Sequence, residues 1–299
     1  MRAGALCIIR KQEELIMKIG VSSYSFHQAV SAGHMSTYDI VDAAAKMGFE
    51  EIDFAVLLGD DPLEEMCKKL GKQAKDAGIG VSNYAVAADF LNKNLDEEVE
   101  HVKGELRNAV LLGARTLRHD AAWKLPENGS IRTFRQALPR IAEGCRRVTE
   151  YAETLGIRTM TENHGTFVQE SARVEALIEA VDHPNFGALV DMGNFMCADE
   201  APEKAVGVMA PLAFHVHAKD FLYKPCTARN PGKGWFGTRG GAFLRGTVIG
   251  HGVVPVEACL RILKNVGYDG TVAIEFEGME PCEEAIALSH ENLAALMQL

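Results

Sequence analysis

Ionisable side chains recur in this chain at the ends of short apolar runs. The run at 157–163 carries Glu162, with His164 two residues on; "FGALVDM" carries Asp191; "AFHVHAKD" carries His215, His217 and Lys219; "TVAIEFE" carries Glu275 and Glu277. "ARTLRHD" adds His119. A single acid after a strand is ordinarily a helix cap or a solvated loop group. Acids and imidazoles on four successive strand-like runs call for a common cause. Drawn together, three carboxylates and one imidazole repel one another and lose their water at high cost unless a cation joins them. One divalent metal ion supplies that cation. An oxygen-rich donor set with a single nitrogen suits Mn²⁺ best and also accommodates Mg²⁺, Co²⁺ or Zn²⁺.

Strand geometry chooses within each pair. Residues two apart share a face, so His215 and His217 point the same way, with His217 about 6 to 7 Å nearer the carboxyl end of the strand. His217 is therefore the expected ligand, and His215 an interior residue supporting it. By the same rule Glu275, inside "VAIEF", is the ligand and Glu277 belongs to the rim. The expected metal set is Glu162, Asp191, His217 and Glu275.

Something must bring these strand ends together. Eight β-rich runs, at 18–26, 51–55, 79–86, 114–120, 157–163, 186–192, 213–219 and 271–277, alternate with amphipathic helical stretches. The helices open on caps such as Ser36 or Pro255 and stop at Gly48, Gly113 and Gly267. Right-handed crossovers make each strand parallel to the last, and eight such units predict a (β/α)8 TIM barrel in a single domain, with its active site at the carboxyl ends of the strands. A doubly wound open sheet is the competing architecture, but no glycine-rich dinucleotide fingerprint follows the first strand. One connection breaks the rhythm. Residues 221–252 hold eight glycines, five Lys/Arg and no Asp or Glu, which predicts a long structureless loop over the site, either functional, with its cations open to an anionic substrate, or a disordered, solvated flap.

The chain has 299 residues, 47% of them hydrophobic, enough for one large core. A net charge of -10 argues against nucleic acid as a partner. No apolar run is long enough to span a bilayer. The seven cysteines are scattered and odd in number, which fits a reducing cytoplasm better than a disulfide framework. Residues 1–16 are expected to be a non-native or disordered extension, with 17–299 forming the barrel. Gln12-Glu13-Glu14 can be encoded with a bacterial ribosome-binding sequence ahead of Met17.

With these residues in view, "TENHG", "LVDMGNF", "HVHAKD", "GHGVVP" and "GYDGTVAIEFEG" resemble, in this order, the motifs of the xylose isomerase-like barrels, the sugar phosphate isomerase/epimerase group. The resemblance runs from about Lys18 to the C-terminus. It implies metal ligands Glu162, Asp191, His217 and Glu275, in agreement with the spacing. It further implies that Glu162 and Glu275 move the substrate proton, as in ketose 3-epimerases, through an enediolate. The activity it implies is isomerisation or epimerisation of a ketose or related hydroxy-carbonyl sugar. A lyase on the same site, such as an inosose dehydratase, is the alternative; a noncatalytic sugar-binding barrel and an endonuclease IV-like nuclease rank below. Those epimerases commonly carry a histidine where this chain has Asn194, which can bind a hydroxyl but not transfer a proton. The implied partner is a small carbohydrate, and a homo-oligomer is compatible with the resemblance.

Other positions complete the expected pocket. His119, His164, Asn194, Lys219 and Trp235 are candidate substrate contacts, although His119 could instead cap its strand with a backbone hydrogen bond. Lys124 is a further one, and Tyr24, Phe26 and His27 form its wall. Lys219 stands one step above His217 on the same face, placed to stabilise an oxyanion or a substrate phosphate, with pairing to a neighbouring carboxylate as the alternative.

Overall fold

A computed structural model of the chain describes residues 17–127 and 129–298. The proposed N-terminal extension, 1–16, lies outside the described residues. In chain order the strands are β1 (Lys18–Ser22), β2 (Glu51–Ala55), β3 (Gly80–Val86), β4 (Thr116–His119), β5 (Arg158–Glu162), β6 (Phe186–Asp191), β7 (Ala213–Ala218), β8 (Asp220–Lys224), β9 (Phe236–Gly237), β10 (Phe243–Thr247) and β11 (Thr271–Ile274). Strands β1 to β7 and β11 pair in sequence order, all parallel, and β11 closes on β1. The fold is thus the expected (β/α)8 TIM barrel in a single domain. The helices are α1 (His27–Ser31), α2 (Ile40–Lys46), α3 (Leu63–Ala77), α4 (Leu95–Leu112), α5 (Phe134–Thr154), α6 (Ser171–Val181), α7 (Pro202–Met209), α8 (Val256–Asn265) and α9 (Cys282–Met297).

Local sequence explains the boundaries. Asn94 accepts hydrogen bonds from Asp96 N and Glu97 N to start α4, which stops at Gly113 in the left-handed conformation, φ 78°. Helix α3 buries Met66, Cys67, Leu70 and Ala74 on one stripe and leaves its lysines and glutamates outside. The strands are covered on both faces. That is why β6 is buried along its whole length and reads as an unbroken apolar run until Asp191.

The connection after β7 differs from expectation. Rather than a structureless loop, it folds into an antiparallel sheet in the order β8-β10-β9. Its anchor is Asp220, whose carboxylate accepts from the backbone N of Phe221, Gly250, Gly252 and Val254 at 2.8 to 3.0 Å. Gly252 is required by that contact, since a Cβ there would lie 2.2 Å from Asp220 Oδ1. The motifs "HVHAKD" and "GHGVVP" are therefore two halves of one clamp. It fixes the sheet over the carboxyl end of the barrel.

Candidate metal centre at the carboxyl end of the barrel

Four neighbouring barrel strands deliver the expected set to one place. Glu162 ends β5, Asp191 ends β6, His217 lies directly across from Asp191 on β7, and Glu275 follows β11. One donor atom from each lies within 4.8 Å of all the others, and all four residues are buried. Asp191 is oriented by its own turn. Its Oδ1 accepts from Gly193 N at 2.8 Å and Asn194 N at 2.9 Å, which leaves Oδ2 for the cluster. Asn163 braces the same strand end, exchanging 2.9 Å hydrogen bonds with the backbone of Asp191.

A second layer lies beneath. Asp53, on β2, approaches His217 Nε2 at 2.6 Å and His215 Nε2 at 3.4 Å, and its other oxygen accepts from Asn83 Nδ2 at 3.0 Å. Burial opposes the charge on Asp53, but His215 and His217 hold its carboxyl at about 2. A carboxylate on Nε2 fixes the ring so that Nδ1 faces the cluster, 3.5 Å from Glu275 and 3.9 Å from Asp191. His217 is thus the upper residue and His215 the deeper, supporting one, as strand alternation requires. Asp53, His215 and His217 also converge closely enough to count as a donor set of their own.

The cluster holds more charge than the sequence reading recognised. Lys219 Nζ lies 2.6 Å from Glu275 Oε2, 3.2 Å from Asp191 Oδ2 and 3.5 Å from Glu277 Oε2. Arg118 Nε reaches Glu162 Oε2 at 2.7 Å. Asn194 bridges the two sides, donating to Glu162 Oε1 at 3.0 Å and accepting from Lys219 at 3.2 Å. Burial lifts the Asp191 carboxyl above its usual range. Burial acts on Glu275 too, but Lys219 and His217 outweigh it and keep that carboxyl well below the usual value. Despite desolvation, Asp191 and Glu275 hold the Lys219 ammonium firmly charged.

The donor set fits a divalent cation. Among the described residues, His217 Nδ1 is a buried atom without a hydrogen-bond partner, and Asp191 Oδ2 has no hydrogen bond but only the Lys219 ammonium 3.2 Å away; both belong to the cluster. Such atoms are costly unless something binds them. The Asp53 set is less open, because its His217 contact is already at hydrogen-bond length.

Two chambers stand over the cluster. The inner, about 320 Å³, is lined by Glu162, His217 and Glu275 with Tyr24, Arg118 and Val56. Val56 adopts φ 49°, a strained conformation for a β-branched residue and one found at functional sites. The outer chamber, about 560 Å³, shares Trp123, His164 and Glu277 with the inner one and adds Asn194, Lys219 and the 221–252 sheet. His164 lies within reach of both chambers, its Nδ1 2.9 Å from Asp120 Oδ1.

Two expected contacts are corrected. His119 lies on the outer face of β4, wedged between Phe90 and Phe186, with Nδ1 2.9 Å from Asp120 O. Alternation turns its neighbour Arg118 inward instead, and the guanidinium enters the site. Trp235 stacks near Arg245, 5.9 Å from ring centre to guanidinium, and the adjacent Phe236 faces the chamber. Of the wall residues, Tyr24 lines the inner chamber, His27 stacks on it, and Phe26 is buried core. Lys124 pairs with Glu127 outside both chambers. Asp53, Arg118 and Asp120 were the residues missed. Their signal was present in polar positions of period two, in "EIDFA" and "TLRHD".

Comparison with known proteins agrees with this architecture. A family profile described as xylose isomerase-like TIM barrel matches residues 41–297. A 3-oxo-isoapionate decarboxylase of Pectobacterium atrosepticum is 26% identical over 257 residues, 83% of this chain and 81% of the relative. An inosose dehydratase of Bacillus thuringiensis is 28% identical over 141 residues, 46% of either chain. Among solved structures, the zinc-bound IOLI protein superposes with a TM-score of 0.75 at 16% identity, over 94% of this chain and 98% of that one. An L-ribulose 3-epimerase gives a TM-score of 0.69 at 15% identity, over 95% of each chain. The chain belongs to the xylose isomerase-like TIM barrel family.

Proposed function

We propose that this protein is a divalent-metal-dependent enzyme that removes the proton beside a carbonyl of a small hydroxy-carbonyl sugar. The observation that carries this is the convergence of Glu162, Asp191, His217 and Glu275, with His217 Nδ1 buried and unpartnered among three carboxylates. Those four residues would hold the ion, with Mn²⁺ the preferred occupant and Mg²⁺, Co²⁺ or Zn²⁺ alternatives. Bound there, the ion supplies positive charge that polarises a carbonyl and stabilises the enolate oxygen. Glu162 and Glu275 lie beside the inner chamber as the proton carriers, and Asn194 is available to a substrate hydroxyl. Lys219 supports the developing negative charge. Tyr24 and Trp123 form part of the chamber wall.

Two fates of the enolate follow from the same first step. Reprotonation gives an isomerase or epimerase; loss of a β-substituent gives a lyase. A specific feature favours the second. His164 is oriented by Asp120 and borders both chambers, where an acid could serve a leaving group. The decarboxylase and dehydratase names of the sequence relatives agree with a bond-breaking outcome.

The test is incubation of the Mn²⁺-loaded protein with keto-sugars, inososes included, in deuterated water. Solvent deuterium in a product of unchanged composition indicates isomerisation; loss of water, carbon dioxide or an aglycone indicates a lyase. No exchange with any member of the panel, in protein shown to contain metal, contradicts the proposal.

A further inference from the structure

The inner chamber accommodates one small sugar ring over the cluster, and the chemistry proposed above needs no more room than that. The outer chamber is larger, and much of its wall belongs to the 221–252 insertion through Phe221, Phe236 and Thr238. Trp123 also lines it. Both Trp123, 45% exposed, and Phe236, 41% exposed, present aromatic surface there. The indole lies against Gly165, where a Cβ would meet the ring at 3.0 Å and the backbone has φ 78°. That glycine lets the indole sit flat at the chamber's edge.

Gln169 is the informative polar residue. It is 4% exposed, lines the outer chamber, and its side-chain amide makes no hydrogen bond to another described residue. An amide that reaches a cavity without a protein partner can exchange its water for a ligand's hydroxyl. The cations in the lining are already engaged. Arg239 makes two 2.9 Å contacts with Glu170, and Lys219 is held by Asp191 and Glu275. An anionic group would find no uncommitted cation among the described lining residues. Aromatic faces beside an amide suit a sugar ring, whose C–H face packs on the aromatics while its hydroxyls bind the amide.

We infer that the outer chamber is a subsite for a second, uncharged sugar ring, and that the substrate is a glycoside of the hydroxy-carbonyl sugar. The carbonyl-bearing ring occupies the inner chamber. The partner ring lies between Trp123 and Phe236 with a hydroxyl on Gln169. The bond between the rings then passes His164, which lines both chambers.

This inference rests on the hydroxy-carbonyl reading for the inner ring, but binding alone can test it. Calorimetry on the Mn²⁺-loaded protein compares glucose with maltose, cellobiose and sucrose. At least one disaccharide is expected to bind about tenfold or more tightly than glucose, the size of one good hydrogen bond plus ring packing. Gln169→Ala and, independently, Phe236→Ala should draw that ratio toward one. Equal binding of glucose and every disaccharide overturns the subsite, as does a ratio unchanged in both variants. A disaccharide preference without deuterium exchange in any keto-sugar overturns the catalytic reading alone; exchange without the preference overturns the subsite alone.

Discussion

The two ends of this barrel treat buried acid in opposite ways. At the amino end Glu51, 1% exposed, is met by Lys18 at 2.8 Å and Arg115 at 3.1 Å. Two cations serve one anion there, and both keep half their surface in water. At the carboxyl end Glu162, Asp191, Glu275 and Glu277 converge on Lys219, Arg118 and the His217 imidazole, and all but Glu277 are 12% exposed or less. The first arrangement closes its own electrostatics and stabilises the fold. The second gathers four carboxylates and leaves His217 Nδ1 unpartnered among them, a state that the fold alone has no reason to maintain. The difference separates an ion pair that holds a structure from a cluster built to take a ligand.

Substitutions can break this contrast. Glu162→Gln and Glu275→Gln should each lower deuterium exchange into a reactive keto-sugar by about 10²-fold or more, the usual cost of losing a proton carrier. Glu51→Gln should leave exchange per folded molecule as it was. Full exchange in either upper variant removes the proton-transfer role. Lys219→Met leaves buried carboxylates unpaired, so the metal-free protein should lose about 3 to 5 kcal/mol in urea unfolding. Added Mn²⁺ should restore much of that loss. A deficit indifferent to metal would make Lys219 an ordinary structural cation, like Arg115.

His119 sharpens the comparison from outside both ends. Burial lowers its imidazole to about 4, so it is neutral in the folded protein while the unfolded chain takes up a proton near 6.5. Its stabilising contribution is complete above pH 6.5 and is lost as pH falls toward 4, amounting to about 3 kcal/mol. His119→Leu should flatten that part of the stability profile, followed by urea midpoints at pH 7, 5.5 and 4.5. An unchanged profile would show that another group carries the acid sensitivity. The smallest effect is expected for Glu51→Gln, about 1 to 3 kcal/mol and independent of metal.

Much of this was legible in the sequence because strands obey a period of two. Apolar runs ending in Glu162, Asp191, His217 and Glu275 gave both the barrel and the order of depth within "HVH". The same rule, applied to "TLRHD", places Arg118 and His119 on opposite faces. Which face turns inward depends on closure of the sheet, and the local pattern does not contain it. Asp53 escaped notice for a related reason. Its partner is 164 residues away on β7, and only the closed barrel brings the two strands' interiors together. The insertion after β7 looked structureless because glycines obscured its short strands, whose pairing depends on the Asp220 clamp.

The central claim is that the upper donor set, and not the deeper one of Asp53 and His215, holds a divalent ion. Anomalous diffraction from Mn²⁺-soaked crystals decides between them, because the two sets share His217 but use opposite ring nitrogens. The account predicts one peak among Glu162, Asp191, His217 Nδ1 and Glu275, lost in His217→Ala and retained in His215→Ala. A peak beside Asp53 and His215, or no peak at either set, would contradict it.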